Sequence, residues 1–168
     1  NLGNPKHKLR WETTYLLVNH LSNQISKDIK LGDRCVLISE NRPEWMISDL
    51  AIMLAGGISV PSYTTYTTKD YEYIIKDCEP SVLIVSNNIQ FNKIKDILDY
   101  KKIKKIISFD RLENLKFQNY LCIEDIINKK DGFENFDSEI SLKRSDPACI
   151  IYTSGTQGNP KGVILSHG

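Results

Sequence analysis

The chain has 168 residues, of which 40% are hydrophobic and 26% are charged, and its formal net charge at pH 7 is +1. This length and composition are typical of a folded domain with a sizeable core and exclude a disordered chain. The near-neutral charge excludes a global attraction to nucleic acid or to an anionic membrane. Any binding of anions must therefore come from a local site.

Two features bear on the cellular compartment. The four cysteines are far apart in the sequence, without the close pairs that zinc or dithiol chemistry uses, which favours free thiols in a reducing compartment. The longest apolar stretch, 45–55, is too short to span a bilayer, and the first residues lack a signal-peptide pattern. We expect a cytoplasmic protein, and the sequence leaves peripheral membrane association and the oligomeric state open.

Helical and strand patterns alternate along most of the chain. Helices are expected over 12–27, 43–55, 68–78, 91–98 and 123–128. Pro43 lies in the first turn of the second helix, whose body is 45–55, and a capping box of Thr67 and Asp70 opens the third. Strands are expected over 35–39, 58–61, 81–86, 105–109, 150–152 and 163–166. This order predicts an α/β fold with a doubly wound, mostly parallel sheet and helices on both faces.

The stretch 149–168 breaks an apolar run with hydroxyls and glycines and then resumes it, which predicts strand, loop, strand. The loop contains three kinds of group suited to oligophosphate: hydroxyls, glycine backbone amides and one cation. They belong to Thr153, Ser154, Thr156, Gly155, Gly158, Gly162 and Lys161. Because ligands of such sheets bind beyond the carboxyl ends of the strands, the position of the loop agrees with a phosphate site.

The loop is not a Walker A motif. That motif requires Gly-Lys followed by Ser or Thr, whereas Lys161 lies between Pro160 and Gly162. A strand is expected behind the loop, so no helix N-terminus is available to bind the phosphates. Hydroxyls, backbone amides and Lys161 are left to do so.

The sequence 152–163, Tyr-Thr-Ser-Gly-Thr-Gln-Gly-Asn-Pro-Lys-Gly-Val, closely resembles the signature loop of the adenylate-forming, or AMP-binding, enzymes. Two earlier stretches, 32–45 and 57–63, are similar to the N-terminal region of this family in its fatty acyl-CoA synthetase branch. The resemblance covers about residues 10–168, more loosely over 110–145.

This resemblance implies a two-step reaction. A small-molecule carboxylate, expected to be a fatty acid, attacks the α-phosphate of ATP to give acyl-adenylate and pyrophosphate, and the thiol of coenzyme A then displaces AMP. The resemblance also implies a set of residues around the β- and γ-phosphates, with Lys161 as the catalytic cation. These residues are Thr153, Ser154, Gly155, Thr156, Gln157, Gly158 and Lys161. The ligands of Mg²⁺ are expected outside these 168 residues.

Two departures from the family pattern are visible. Gln157 stands where Thr or Ser is usual, although its amide can still donate to a phosphate oxygen. The family's elements for adenine, ribose, magnesium and the mobile C-terminal domain are not among these residues. We therefore expect residues 1–168 to be a single, incomplete N-terminal domain that is inactive alone, with 132–147 as an internal surface linker.

Two alternatives stay open at this point. One is an adenylate-forming ligase with another acceptor, such as a carrier-protein thiol. The other is a catalytically inactive, truncated relic that binds polyphosphate.

Several other residues allow a structural and a functional interpretation. The helix residues Trp45, Met46, Leu50 and Met53 are expected in the core rather than in an acyl pocket. Structural roles are also favoured for His167 and for Arg42 with its neighbouring glutamates.

The basic run 101–105 is expected to be a solvated connection. Tyr63 and Tyr66 are ambiguous between packing and a position near the active cleft.

Overall fold

A computed structural model describes residues 10–129, 140–153 and 160–168. The helices in these ranges are α1 (Trp11–Ser26), α2 (Pro43–Leu54), α3 (Thr68–Cys78), α4 (Asn88–Asn92) and α5 (Ile123–Lys129), with a 3-10 turn at Lys95–Ile97. The strands are β1 (Arg34–Ile38), β2 (Ile58–Ser62), β3 (Val82–Val85), β4 (Lys105–Ser108), β5 (Tyr120–Cys122), β6 (Pro147–Thr153) and β7 (Lys161–Ser166).

These seven strands form one sheet in the order β5-β4-β3-β1-β2-β6-β7. The neighbours from β5 to β6 are parallel, and the pair of β6 and β7 is antiparallel. β1 lies between β2 and β3, so the chain builds the sheet first to one side of β1 and then to the other. This reversal makes β1 the topological switch point, beyond whose carboxyl end ligands bind in open α/β sheets.

Helices cover both faces of the sheet. On one face, α1, α2 and α5 pack against alternate residues of β1, β3 and β4. On the other face, α3 and α4 pack against the intervening residues of β1 to β4 and against Tyr152 of β6. Because β1 and β3 are buried on both faces, they read as continuous apolar runs in the sequence. The doubly wound, mostly parallel α/β fold predicted from the sequence is confirmed.

The ends of two helices follow their sequence signals. Pro43 is the first residue of α2, and the chain leaves this helix through Gly56, whose φ of 81° is rarely adopted by residues with a side chain. The predicted capping box of α3 is present: the Thr67 hydroxyl accepts from the Asp70 N–H, and the Asp70 carboxylate accepts from the Thr67 N–H. These turns set where β2 and the loop after it lie.

Local predictions were wrong in four places. The basic run 101–105 is not a wholly solvated connection, because Lys105 is a buried residue of β4. The helix expected over 91–98 is the short α4 followed by the 3-10 turn, and β5 was not predicted at all. Met46 and Leu50 are exposed, because α2 turns Ile47, Ala51 and Ile52 towards the sheet instead.

The predicted linker 132–147 lies partly outside the described residues. Residues 140–146 contain neither helix nor strand, and Pro147 already belongs to β6. None of the helices in the described ranges is long and apolar enough to cross a membrane.

Candidate phosphate-binding site

The end of β6 and the start of β7 lie opposite each other at the carboxyl edge of the sheet. In the antiparallel register Thr153 faces Lys161, and Tyr152 faces Gly162. Paired residues in antiparallel strands have Cα atoms only about 4.5–5.5 Å apart. Thr153 and Lys161, which are eight residues apart in the sequence, are thereby held at neighbouring positions.

Thr153 and Lys161 are both exposed, so that their polar groups are accessible to a ligand. Of the other residues predicted here, Ser154, Gly155, Thr156, Gln157 and Gly158 lie outside the described residues. The structure therefore brings together the first and the last member of the predicted set, at the edge of the sheet where the sequence predicted a ligand site.

Gly162 is required by packing between β6 and β7. A Cβ atom at this position would lie 2.9 Å from Cγ2 of Ile150 and 3.3 Å from Cζ of Tyr152. Because Gly162 has no side chain, β7 approaches β6 closely enough for the Tyr152 ring to pack against the Gly162 backbone. The glycine thus sets the position of Lys161, which precedes it.

Tyr152, the last buried residue before Thr153, is held by two long-range hydrogen bonds that sequence patterns did not reveal. Its hydroxyl donates to Oδ2 of Asp77 at 2.5 Å, and its carbonyl oxygen accepts from the Tyr66 hydroxyl at 3.3 Å. Burial first, and then Asp77, raise the pKa of Tyr152, so that this hydroxyl stays protonated and donates. The hydroxyl of Tyr66, whose role the sequence leaves ambiguous, contacts the strand that leads to Thr153.

A second polar cluster lies further along the same edge, around Arg42. The guanidinium donates to both carboxylate oxygens of Asp110, at 2.8 and 2.9 Å, pairs with Glu44 and stacks 5.5 Å above the ring of Phe109. The hydrogen bonds with Asp110 raise the pKa of Arg42. These contacts connect the loop after β1 to the loop after β4. The predicted pairing of Arg42 with Glu44 is present, and Asp110 is an additional partner.

Glu40 has a different partner in this cluster. Its carboxylate accepts from Nε2 of Gln90 at 2.7 Å. Burial would raise the pKa of Glu40, but hydrogen bonds to the carboxylate and the charge of Arg42 outweigh it and hold the pKa below its ordinary value. Glu40 is therefore a carboxylate at neutral pH that ties the loop after β1 to α4.

The described residues supply no metal-binding cluster. Within 10–129, 140–153 and 160–168, no three His, Cys, Asp or Glu side chains are placed to hold one ion. The exposed His167 follows β7, and its backbone N–H donates to the carbonyl of Asp146 at 3.1 Å.

Comparison with known proteins identifies relatives along nearly the whole chain. A family profile described as "AMP-binding enzyme" matches residues 3–168. Long-chain-fatty-acid–CoA ligase ACSBG1 of Rattus norvegicus is 32% identical over 171 residues, covering 96% of this chain and 24% of the relative. Long-chain-fatty-acid–CoA ligase ACSBG2 of Xenopus laevis is 36% identical over 135 residues, covering 78% of this chain and 18% of the relative.

Solved structures show the same architecture. The anthranilate CoA ligase AuaEII, solved in complex with anthranoyl-AMP, superposes with a TM-score of 0.78 and 25% identity, over 97% of this chain and 30% of that one. Coronafacic acid ligase from Pectobacterium brasiliense superposes with a TM-score of 0.78 at 22% identity, over 96% of this chain and 30% of that one, and shows the fold alone. The chain spans about a quarter of the length of ACSBG1.

Proposed function

The chain belongs to the AMP-binding enzyme family, and from this membership we propose that the protein activates a fatty acid with ATP and transfers it to coenzyme A. The observation that carries the proposal is the pairing of Thr153 with Lys161 at the carboxyl edge of the sheet. The substrate class follows the names of the relatives, which are long-chain-fatty-acid–CoA ligases.

Lys161 has a direct electrostatic role in this reaction. When the carboxylate attacks the α-phosphate, the bond to the β-phosphate breaks and negative charge builds on the leaving pyrophosphate. An ammonium group and a hydroxyl already held at that position stabilise the charge without reorganising, as donors in oxyanion sites do. Lys161 and Thr153 are the described residues that we assign to this role, and we assign Ser154, Gly155, Thr156, Gln157 and Gly158 to the same phosphates on the basis of the resemblance.

Magnesium, which accompanies ATP in such reactions, finds no donor cluster among the described residues. Coenzyme A acts as a second substrate, whose thiol attacks the acyl carbon and releases AMP.

The test is carboxylate-dependent exchange of pyrophosphate into ATP by the complete protein. Because a charge-assisted contact to phosphate is lost, Lys161→Ala should slow this exchange by about tenfold to a hundredfold. The matched control is Lys143→Ala, which removes an exposed lysine located four residues before β6, at the opposite end of that strand from Thr153.

Different results would contradict different parts of the proposal. An unchanged exchange rate in Lys161→Ala would overturn the role of Lys161. Exchange without formation of acyl-CoA on addition of coenzyme A would show that the acceptor is wrong. If wild-type protein exchanged pyrophosphate in the presence of other carboxylates but with none of the fatty acids tested, the proposed substrate class would be wrong.

A further inference from the structure

Tyr66 reaches across the fold to the strand that ends at the phosphate site. It belongs to the loop between β2 and α3, and its hydroxyl donates to the carbonyl oxygen of Tyr152 at 3.3 Å, 86 residues away in the sequence. That carbonyl belongs to the residue directly before Thr153. The contact therefore acts on the main chain at the point where β6 delivers its first predicted phosphate-binding hydroxyl.

Asp77 fixes the side chain of the same residue. Its carboxylate accepts from the Tyr152 hydroxyl at 2.5 Å, at the C-terminal end of α3. Tyr152 itself is only 3% exposed, and its ring lies against Gly162 on the other side. One residue is thus held through its backbone by Tyr66, through its side chain by Asp77, and by packing against β7.

The loop that carries Tyr66 is itself anchored. The Tyr66 ring meets Tyr63 edge-on at 5.4 Å and Tyr71 at 5.9 Å, arrangements that aromatic pairs favour. The Tyr71 hydroxyl donates to the carbonyl of Tyr63 at 2.7 Å, and the ammonium of Lys93 donates to the carbonyl of Thr64 at 2.5 Å. The support of Tyr152 therefore extends to α3 and to the turn that follows α4.

We infer that Tyr66 and Asp77 are positioning residues for the ATP phosphates, which they serve by fixing Tyr152 and, through it, Thr153 opposite Lys161. The inference rests on the proposed function and adds two residues to it that touch neither substrate. Groups that contact the phosphates must be held in place before ATP binds, since a displaced hydroxyl or ammonium group makes a weaker contact with phosphate and ATP then binds less tightly. A hydroxyl and a carboxylate on separate elements supply that restraint here.

The first experiment is pyrophosphate exchange by the complete protein carrying Tyr66→Phe. This variant keeps the ring and its packing and removes only the hydroxyl. We expect the KM for ATP to rise about three- to tenfold, in proportion to the loss of one hydrogen bond, with the KM for the fatty acid and the melting temperature unchanged. The matched control is Tyr63→Phe, at a residue that is 65% exposed, and this variant should behave as wild type.

The second experiment separates the acceptor role of Asp77 from its charge. Asp77→Asn keeps an oxygen that can accept from Tyr152 and should retain most of the wild-type KM for ATP, whereas Asp77→Ala should raise it as Tyr66→Phe does. Equal KM values for ATP in wild type, Tyr66→Phe and Asp77→Ala would overturn the inference. The inference would also be wrong if the melting temperature fell and all kinetic parameters worsened together, because that would indicate only a structural role.

A third measurement does not depend on catalysis. Hydrogen exchange of the backbone amides of β6 and β7 should be faster in Tyr66→Phe than in wild type, and unchanged in Tyr63→Phe. If wild-type protein failed to exchange pyrophosphate, the proposed function would be wrong. Hydrogen exchange of these amides would still show whether Tyr66 restrains the two strands. Equal exchange in wild type and Tyr66→Phe would overturn the restraint itself.

Discussion

At the scale of single residues, the ion pair of Lys105 and Asp28 is the most deeply buried ion pair within the described ranges. The side chain of Lys105 is only 6% exposed and that of Asp28 is 21% exposed, and the two groups are hydrogen-bonded. The amide of Asn119 also donates to Asp28, at 2.8 Å. A buried charge that loses its counterion costs far more than an exposed one, because water cannot replace the lost partner.

We therefore predict that Asp28→Ala, which leaves the Lys105 ammonium buried and unpaired, lowers the free energy of unfolding by about 3–5 kcal/mol. Adding Lys105→Met to this variant should recover much of the loss, because it removes the buried charge. Urea denaturation measures both effects. The control is Glu72→Ala, which breaks the exposed pair with Lys76 and should leave stability nearly unchanged. A double variant no more stable than Asp28→Ala would contradict the explanation.

At the scale of secondary-structure elements, the start of α3 is set by its capping box. Thr67→Ala removes the side-chain acceptor of the Asp70 N–H, and we predict a loss of about 1 kcal/mol in the free energy of unfolding. The neighbouring variant Thr68→Ala changes the first helical residue and should cost much less. Urea denaturation again provides the measurement, and equal losses in the two variants would show that the box does not stabilise the helix.

The same capping box makes a pH prediction. Hydrogen bonds from the Thr67 side chain and backbone hold the pKa of Asp70 below its ordinary value of 3.8. A carboxylate with a lowered pKa stabilises the fold above its ordinary pKa, and this contribution is lost as the pH falls through the lowered value. The difference in stability between wild type and Thr67→Ala should therefore shrink in acid, below about pH 4.

Elements with local signals were predictable, and elements that depend on distant partners were not. The start of α3 was read from two residues, and β3 from an unbroken apolar run. By contrast, no Gly or Pro follows Asn92 to mark the early end of α4. The strand β5 has only three residues, too few to show a period, and it forms because β4 offers it a parallel edge.

The residues of the candidate site also differ in whether the sequence alone could reveal them. Thr153 and Lys161 could be found from the sequence because they belong to one contiguous motif. Tyr66 and Asp77 contact Tyr152 across 86 and 75 residues, and those contacts exist only because β6 adds to the sheet beside β2. Knowledge of the strand order was needed to find them.

At the scale of the whole molecule, several buried and half-buried thiol and phenol groups are neutral at pH 7 and ionise only in alkali. Burial raises the pKa of Cys78 to about 12, against the opposing charge of Arg34, and that of Cys149 to about 11. Burial also raises the pKa of Cys35 and of Tyr71. All of these groups are more easily ionised in the unfolded chain than in the fold.

A group whose pKa is raised by folding stabilises the fold fully below its ordinary pKa, and that contribution is lost as the pH rises through the raised value. The ordinary pKa of a cysteine is 9.0. We therefore predict that the free energy of unfolding, measured in urea under reducing conditions, declines steadily as the pH rises from about 9 to about 11. Cys149→Ser removes one of these thiols with little change of volume, so its decline should be shallower than that of wild type. Stability that stayed constant or rose over this range would contradict the assignment, since it would mean that the thiols ionise as readily in the fold as in the unfolded chain.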